Sequence, residues 1–561
     1  MLPILSTLTK KQKLGVMGLC LFFGGILMQT TLTPAMMKMG TKQISALRKG
    51  GVIRKIWSKL PFPIEFRFYM FNVTNPREID QGAQPIVQEV GPFIYEIWHE
   101  KVAQADRKSD DTVEYRVKNT YYYNKELSDP LTGDEEITVP NYFLLGLVSA
   151  IMKIRKSALP LIVKGLNSIY KKPSSIFMQA KVKDILFDGL TIDCNVTDTA
   201  GSAICSEVKN KWEEYHLYKF DEVTFAMSLI GWMNATDTID HYRVKRGIKN
   251  IMEVGNVVEY NGKTNVSVWN DEFCDTFYGT DGTILHPFFD KKGRDTVDVF
   301  VASMCRSLFL RYKRKSRYAG ISTLRYEVDI GTDMDKYPEQ RCYCETPDAC
   351  PDKGTYNLFK CAGLPLIVTN PHLMHVDPTI AETVAGLEPI KSKHTTMVDQ
   401  EPQTGAILQA YIRAQFNFFI GKVEKFKIMK NLPDALLPLL WFDQIIILPR
   451  WIVRLIKIAY YFNKFQTLMN YSMMLVGLGL CGYAGYDYYR SRQVTKVTTS
   501  AGRSSAVEVL GKNNNHHDNN DDRDQNQMYE EEPVTPISNW TPAKQEVTRI
   551  NVVSRNGRFF D

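Results

Sequence analysis

Apolar residues follow three rhythms along this chain. Two unbroken apolar runs lie near its ends: residues 14–33, which carry no charge, and residues 469–486, extendable back to Phe465. A helix needs about 20 apolar residues to cross a bilayer core, so each run predicts one membrane span. Between them, alternation takes over. Ile64, Phe66, Phe68 and Met70 alternate with Glu65, Arg67 and Tyr69, the period of a strand with one buried face. Residues 93–98, 113–123, 224–232, 324–330 and 407–419 repeat that pattern, with Gly91-Pro92, Asn124-Lys125 and Asp281-Gly282 as turn signals between runs. The third rhythm is helical and occupies residues 141–172. Leu144, Leu147, Val148, Ile151 and Ile154 share one face, Pro160 interrupts, and Leu161, Ile162, Leu166 and Ile169 form a second stripe. Periodicity alone fits a helical hairpin packed on the core, with an apolar cap that meets a lipid-like ligand as the rival. A large antiparallel sheet or barrel with inserted helices is the predicted fold.

The predicted organisation is a cytoplasmic N-terminus (1–13), a transmembrane helix (14–34), one extracellular domain (35–464), a second transmembrane helix (465–486) and a disordered cytoplasmic tail (487–561). The first run has the basic flank of a signal peptide. Met28-Gln29-Thr30-Thr31 is a poor cleavage site, so an uncleaved anchor is expected. Basic residues flank both sides of that run and do not set orientation. The sequons do: Asn72, Asn195, Asn234 and Asn265 each begin Asn-x-Ser/Thr in the loop, while Asn539 lies in the tail. The loop is expected outside, with glycans on those four and both termini cytoplasmic. Residues 449–465 form a basic amphipathic stretch, suited to the outer membrane surface or to an ordinary ectodomain helix. The net charge of +7 is read as spread along the chain, without a nucleic-acid signal. The tail, with His516 and His517, reads as solvated disorder.

Ten cysteines divide into Cys20 and Cys481 in the two runs and eight in the loop: Cys194, Cys205, Cys274, Cys305, Cys342, Cys344, Cys350 and Cys361. An even count in an oxidising compartment points to disulfides. Zinc is the competing reading, but the spacing from Cys342 to Cys361 matches no common zinc pattern and no metal is expected. No Gly-x-Ser-x-Gly elbow or His-Glu-x-x-His helix is present, and Gly477-x-Gly479-x-x-Gly482 lies inside an apolar run without a strand before it. His372 and His375 follow Pro371 in a turn, where histidines are usually structural. An enzyme is not expected, nor a cofactor.

Several motifs resemble the class B scavenger receptor family. They are 71–76 (Phe-Asn-Val-Thr-Asn-Pro), 90–95 (Val-Gly-Pro-Phe-Ile-Tyr), 269–289 with Cys274, Gly279-Thr280-Asp281 and Pro287-Phe288, then Cys305-Arg306-Ser307, Cys342-Tyr343-Cys344, Cys361, Pro371-His372, 401–405 and 437–441. Within that family the chain is most similar to the insect sensory neuron membrane proteins, on Phe187-Asp188-Gly189, the Cys194/Cys205 pair, residues 113–118 and the long polar tail. Unlike many of the family's lipoprotein receptors, it has no tail cysteine for palmitoylation.

The resemblance implies an α+β architecture: a large antiparallel β-barrel-like ectodomain with a helical cap and an internal hydrophobic tunnel, anchored by two transmembrane helices. It implies the bridges Cys274–Cys342, Cys305–Cys361 and Cys344–Cys350, with Cys194 and Cys205 taken as the fourth pair. It turns the 141–172 helices into a ligand-gathering cap, with Phe143, Leu147, Ile151 and Leu161 as ligand contacts. Lys171 aligns with a family lysine beside the ligand entrance, and Lys172 adjoins it. For the sensory subgroup it implies a plasma-membrane co-receptor that passes fatty-acid-derived pheromones to an odorant receptor complex, with odorant-binding proteins delivering them. The alternative it leaves is a scavenger receptor for lipoproteins or fatty acids in non-neuronal tissue.

Overall fold

The computed structural model describes residues 9–507 except 291, 294, 347 and 348. Eleven strands form one antiparallel path: β1 (Ile64–Val73), β2 (Val87–Arg107), β3 (Thr112–Tyr123), β4 (His241–Lys245), β5 (Val257–Tyr260), β6 (Val297–Val301), β7 (Arg306–Tyr318), β8 (Ile321–Val328), β9 (Thr396–Gln400), β10 (Ile407–Ile420) and β11 (Ala435–Ile447). Their order across the sheet is β5-β4-β3-β2-β1-β11-β10-β9-β8-β7-β6. The two ends of that path are laced together by Gly279 and Thr280. Val257 donates its N–H to Gly279 O at 2.9 Å, and Phe300 donates to Thr280 O at 2.8 Å. Gly279 has φ +75°, and a Cβ there would stand 1.9 Å from Asp298 O, so only glycine lets the backbones approach this closely. The result is a nearly closed barrel.

Alternation on the strands decides what fills it. On β1 the Phe66, Phe68 and Met70 side chains turn inward and are buried, while Glu65, Arg67 and Tyr69 line the outer face. Two cores result. One holds β1, β2, β11 and the helices that insert after residue 141. The other is built on Tyr115, Tyr242, Trp269, Tyr326 and Tyr356. Phe416, Phe442 and Ile446 pack against both. The 224–232 run is a strand only over Thr224–Met227, then a 3₁₀ turn over Gly231–Met233.

Two long helices leave the barrel. Among the described residues, α1 (Lys10–Ser45) is the one helix long and apolar enough, by length and composition, to cross a membrane. The second expected span lies within a helix running from Arg450 to Val507, where glycines, tyrosines and Asn470 dilute the apolar run. The two pack antiparallel through small residues. A Cβ on Gly18 would lie 2.8 Å from Cys481 Sγ, and one on Gly477 would lie 2.6 Å from Phe22 N. Buried Asn470 donates to Gln29 Oε1 at 3.0 Å and to Thr33 Oγ1 at 3.2 Å. Close backbone approach plus interhelical hydrogen bonds is how helices associate in lipid. The tail beyond 507, with His516, His517 and Asn539, lies outside the described residues.

Candidate functional site

The cap rises from a two-stranded base, Glu136–Pro140 paired with Phe177–Lys181. Asn141 starts its first helix, α2 (Tyr142–Ile154), by accepting the Leu144 N–H at 3.0 Å, a standard use of Asn at a helix start. The chain breaks at Arg155 and resumes as α3 (Leu159–Ile169), with Pro160 in its first turn, where its missing N–H costs nothing. α3 rests on α4 (Thr199–Lys211) at Gly165, whose Cβ would meet Ala200 O at 2.6 Å. A Cys194–Cys205 disulfide ties α4 to the strand before it.

The helical stripe is less uniform than its periodicity predicts. Tyr142, Leu144, Leu145 and Val148 are buried in the core, and Phe143, Leu147 and Ile151 pack half-buried against it. Ile154 departs from the expected inward face: it is 72% exposed at the end of α2, where the helix overhangs the core. Leu161 is 50% exposed on α3. The cap thus presents bare apolar side chains to solvent above a buried apolar core. Phe143 also borders a void of about 10 Å³ with Tyr170, Met178 and Met227, room for one water.

Lys171 and Lys172 follow α3 with φ of +52° and +60°. Lys171 is 80% exposed on its side chain, and its Nζ lies 3.4 Å from Asp193 Oδ2, one residue before Cys194. Both lysines therefore project from the cap's closing turn. Asn195, Asn234 and Asn265 are exposed; Asn72 sits within β1, half-buried, with its Oδ1 accepting the Thr138 N–H at 2.9 Å.

The other disulfides are Cys274–Cys342, Cys305–Cys361 and Cys344–Cys350. Asp271 converges with Cys274 and Cys342 as a metal site would, but those two sulfurs are joined and offer no thiolate.

A second concavity was not legible in the sequence. It is a cavity of about 430 Å³ on the outer face of β1, β10 and β11, partly covered by residues 388–394. Its floor holds Arg413, whose Nε donates to Asp443 Oδ1 at 3.0 Å, with both side chains buried. Burial raises the Asp443 carboxyl, against the pull of Arg413. At one end Glu89 Oε2 accepts from His372 Nε2 at 2.6 Å and Trp441 Nε1 at 2.7 Å. Burial alone would raise Glu89, but those two bonds hold it below the usual carboxylate range. The His372 and His394 rings stack at 4.4 Å. Their Nδ1 atoms accept the N–H groups of Glu388 and Ile390, each at 3.0 Å, and so pin the covering segment. Burial holds His394 down to about 4. His375 is bonded to Asp329 instead. The signal for this site was long-range: Glu89, His372 and Trp441 are far apart in the chain.

A disulfide-braced, nearly closed barrel with a helical cap is tethered to a helix long and apolar enough to cross a membrane. Residues 16–488 match the CD36 family, and the chain belongs to that family. It is 38% identical over 498 residues to "Sensory neuron membrane protein 1" of Apis mellifera, covering 88% of this chain and 95% of that protein. It is 36% identical over 513 residues to the protein of that name in Manduca sexta, covering 89% and 97%. The Bombyx mori protein of that name is 37% identical over 443 residues, covering 79% and 84%.

Proposed function

We propose that this chain is a plasma-membrane receptor that gathers hydrophobic, fatty-acid-derived ligands at its cap and passes them through the ectodomain toward an odorant receptor in olfactory neurons. Two spans, residues 14–34 and 465–486, hold both termini in the cytoplasm and the glycosylated domain outside. Membership of the CD36 family and relatives named for sensory neuron membranes support the setting. The observation that carries the mechanism is the exposure of Ile154 and Leu161 on helices whose other face is continuous with the core. A long-chain ester gains about 0.8 kcal/mol for each CH2 it removes from water. An apolar collecting surface therefore concentrates it without catalysis. The route inward follows the seam where the two cores meet. There Phe66 stacks on Phe442 at 5.0 Å, and Phe416 lies 6.1 Å from Phe442. Lys171 offers a cation for a polar head at the cap's edge, and Lys172 a second. Odorant-binding proteins would hand ligand to the cap.

Recordings from antennal neurons of null animals test this reading. Wild-type chain should restore the pheromone response. Leu147→Asp with Ile151→Asp, delivered to the membrane in equal amount, should not. Restoration by that variant would reduce the cap to scaffold. Expression confined to gut or blood cells would favour the scavenger reading instead.

A further inference from the structure

The cations of this chain are not spread evenly. Residues 306–326 carry seven lysines and arginines and no carboxylate, a local charge equal to the net +7 of the whole chain. They form the β7–β8 ribbon, closed by Ala319-Gly320. Beyond Leu310 the β7 strand pairs only with β8, so its other edge is open, and from Ser316 the two strands run on past β9. Three of the seven are engaged. Arg306 is buried against Tyr356 at 4.5 Å, Arg311 lies over Tyr337 at 4.5 Å, and Arg325 is bonded to Asp399 at 2.6 Å. The remaining four, Lys313, Arg314, Lys315 and Arg317, are exposed and pair with no carboxylate among the described residues.

We infer that this ribbon is a docking surface for a linear sulfated polysaccharide. Two observations choose that occupant. First, the cations run along an extended strand in which alternate residues stand about 7 Å apart; they make a track for a chain of repeating anions, with no pocket for one. Second, no large apolar side chain of the ribbon is exposed, whereas a protein interface needs an apolar centre. The inference goes beyond ligand transfer and rests only on the domain lying outside the cell.

The test uses the purified, glycosylated full chain in uncharged detergent and a heparin dodecasaccharide as probe. Binding should be reversible, and log Kd should vary linearly with log salt. The variant Lys313→Gln/Arg314→Gln/Lys315→Gln/Arg317→Gln should bind at least about tenfold more weakly at 0.15 M NaCl, with a salt slope shallower by about three. An equal neutralisation elsewhere, Lys422→Gln/Lys425→Gln/Lys427→Gln/Lys430→Gln, should bind like the parent. Unchanged thermal midpoints would show that both variants fold. The inference is overturned if the ribbon variant binds like the parent or both variants weaken alike. It is also overturned if vesicles of phosphatidylcholine with one-fifth phosphatidylserine displace the heparin fragment. Because the probe is added in solution, failure here leaves the ligand-transfer reading standing.

Discussion

Lys101 Nζ lies 3.3 Å from Asp281 Oδ2, with neither side chain open to solvent. The pair is fully dressed. Tyr115 donates its hydroxyl to Asp281 Oδ2 at 2.6 Å, Lys101 donates to Thr283 Oγ1 at 3.0 Å, and the ammonium sits 4.8 Å from the Trp57 ring centre. Asp281 directly follows the Gly279-Thr280 closure, so the same short turn closes the barrel and plants a buried charge. Burial would raise the Asp281 carboxyl, but Lys101 and the hydroxyls hold it low. Removing one partner strands the other. Asp281→Asn should therefore cost about 3–5 kcal/mol, and Lys101→Met added to it should restore part of the loss. Thermal midpoints of the single and double variants check this.

Acid should loosen the ectodomain once the pH falls below about 6.5. Burial, with the nearby Lys101 charge, holds His99 down to about 4; its ring bonds Asn119 Oδ1 at 2.7 Å and accepts from Lys101 at 3.0 Å. His394 is held equally low. An unfolded histidine titrates near 6.5, so below that pH the unfolded chain takes up protons that the folded chain refuses. The stability is complete above pH 6.5 and drains as pH falls toward 4. His99 alone accounts for up to about 3 kcal/mol, at roughly 1.4 kcal/mol per pH unit. Melting curves between pH 7.5 and 4.5 should show this fall, and His99→Gln should make it shallower, with the His394 part remaining.

The terminal helix pair can be trapped chemically. A Gly18 Cβ would stand 2.8 Å from Cys481 Sγ and 2.9 Å from Cys481 N and Gly477 O; with a separation of the two backbones by a few tenths of an ångström, Gly18→Cys should form an intramolecular disulfide with Cys481 under mild oxidation. Cys481→Ala should abolish it. Gly477→Leu, pressed against the Phe22 backbone, should separate the helices and prevent the crosslink in the presence of Gly18→Cys.

Glycan mapping should find Asn195, Asn234 and Asn265 occupied, since all three are exposed. Asn72 should be occupied least: it is half-buried and pairs opposite Gln88 within the sheet, whereas Asn234, whose Oδ1 likewise accepts a backbone N–H, from Tyr121 at 3.0 Å, is exposed. Glycosidase treatment that left the protein's mobility unchanged would contradict a loop facing outside.

What could be read from the chain followed the range of the interactions. The β1 alternation at Phe66, Phe68 and Met70 needs only a one-sided sheet to take effect, and it set that strand's inner face correctly. The α2 stripe gave Leu144 and Val148 as buried. Ile154 escaped because period 3.6 marks a face but not where the underlying core stops. The strand run at 224–232 ends at Met227, after which Leu229 and Ile230 donate their N–H groups to Ile185 O and Leu186 O, long-range bonds no local pattern announces. The outer cavity was invisible for the same reason: Glu89, His372, His394 and Trp441 meet only after the sheet has formed. The charged ribbon was in the sequence throughout, but its lack of partners is a property of the fold.

Photoaffinity labelling tests the central claim most directly. The purified full chain would be exposed to a sixteen-carbon acetate bearing a diazirine near its terminus, and the adducts mapped by mass spectrometry. Ligand transfer from the cap predicts labels on Phe143, Leu147, Ile151 or Leu161 and along the Phe66–Phe442 seam, competed by unlabelled acetate and lost from the seam with Leu147→Asp. Labels confined to the polar outer cavity, or to the 469–486 helix, with the cap and seam clean, would contradict it.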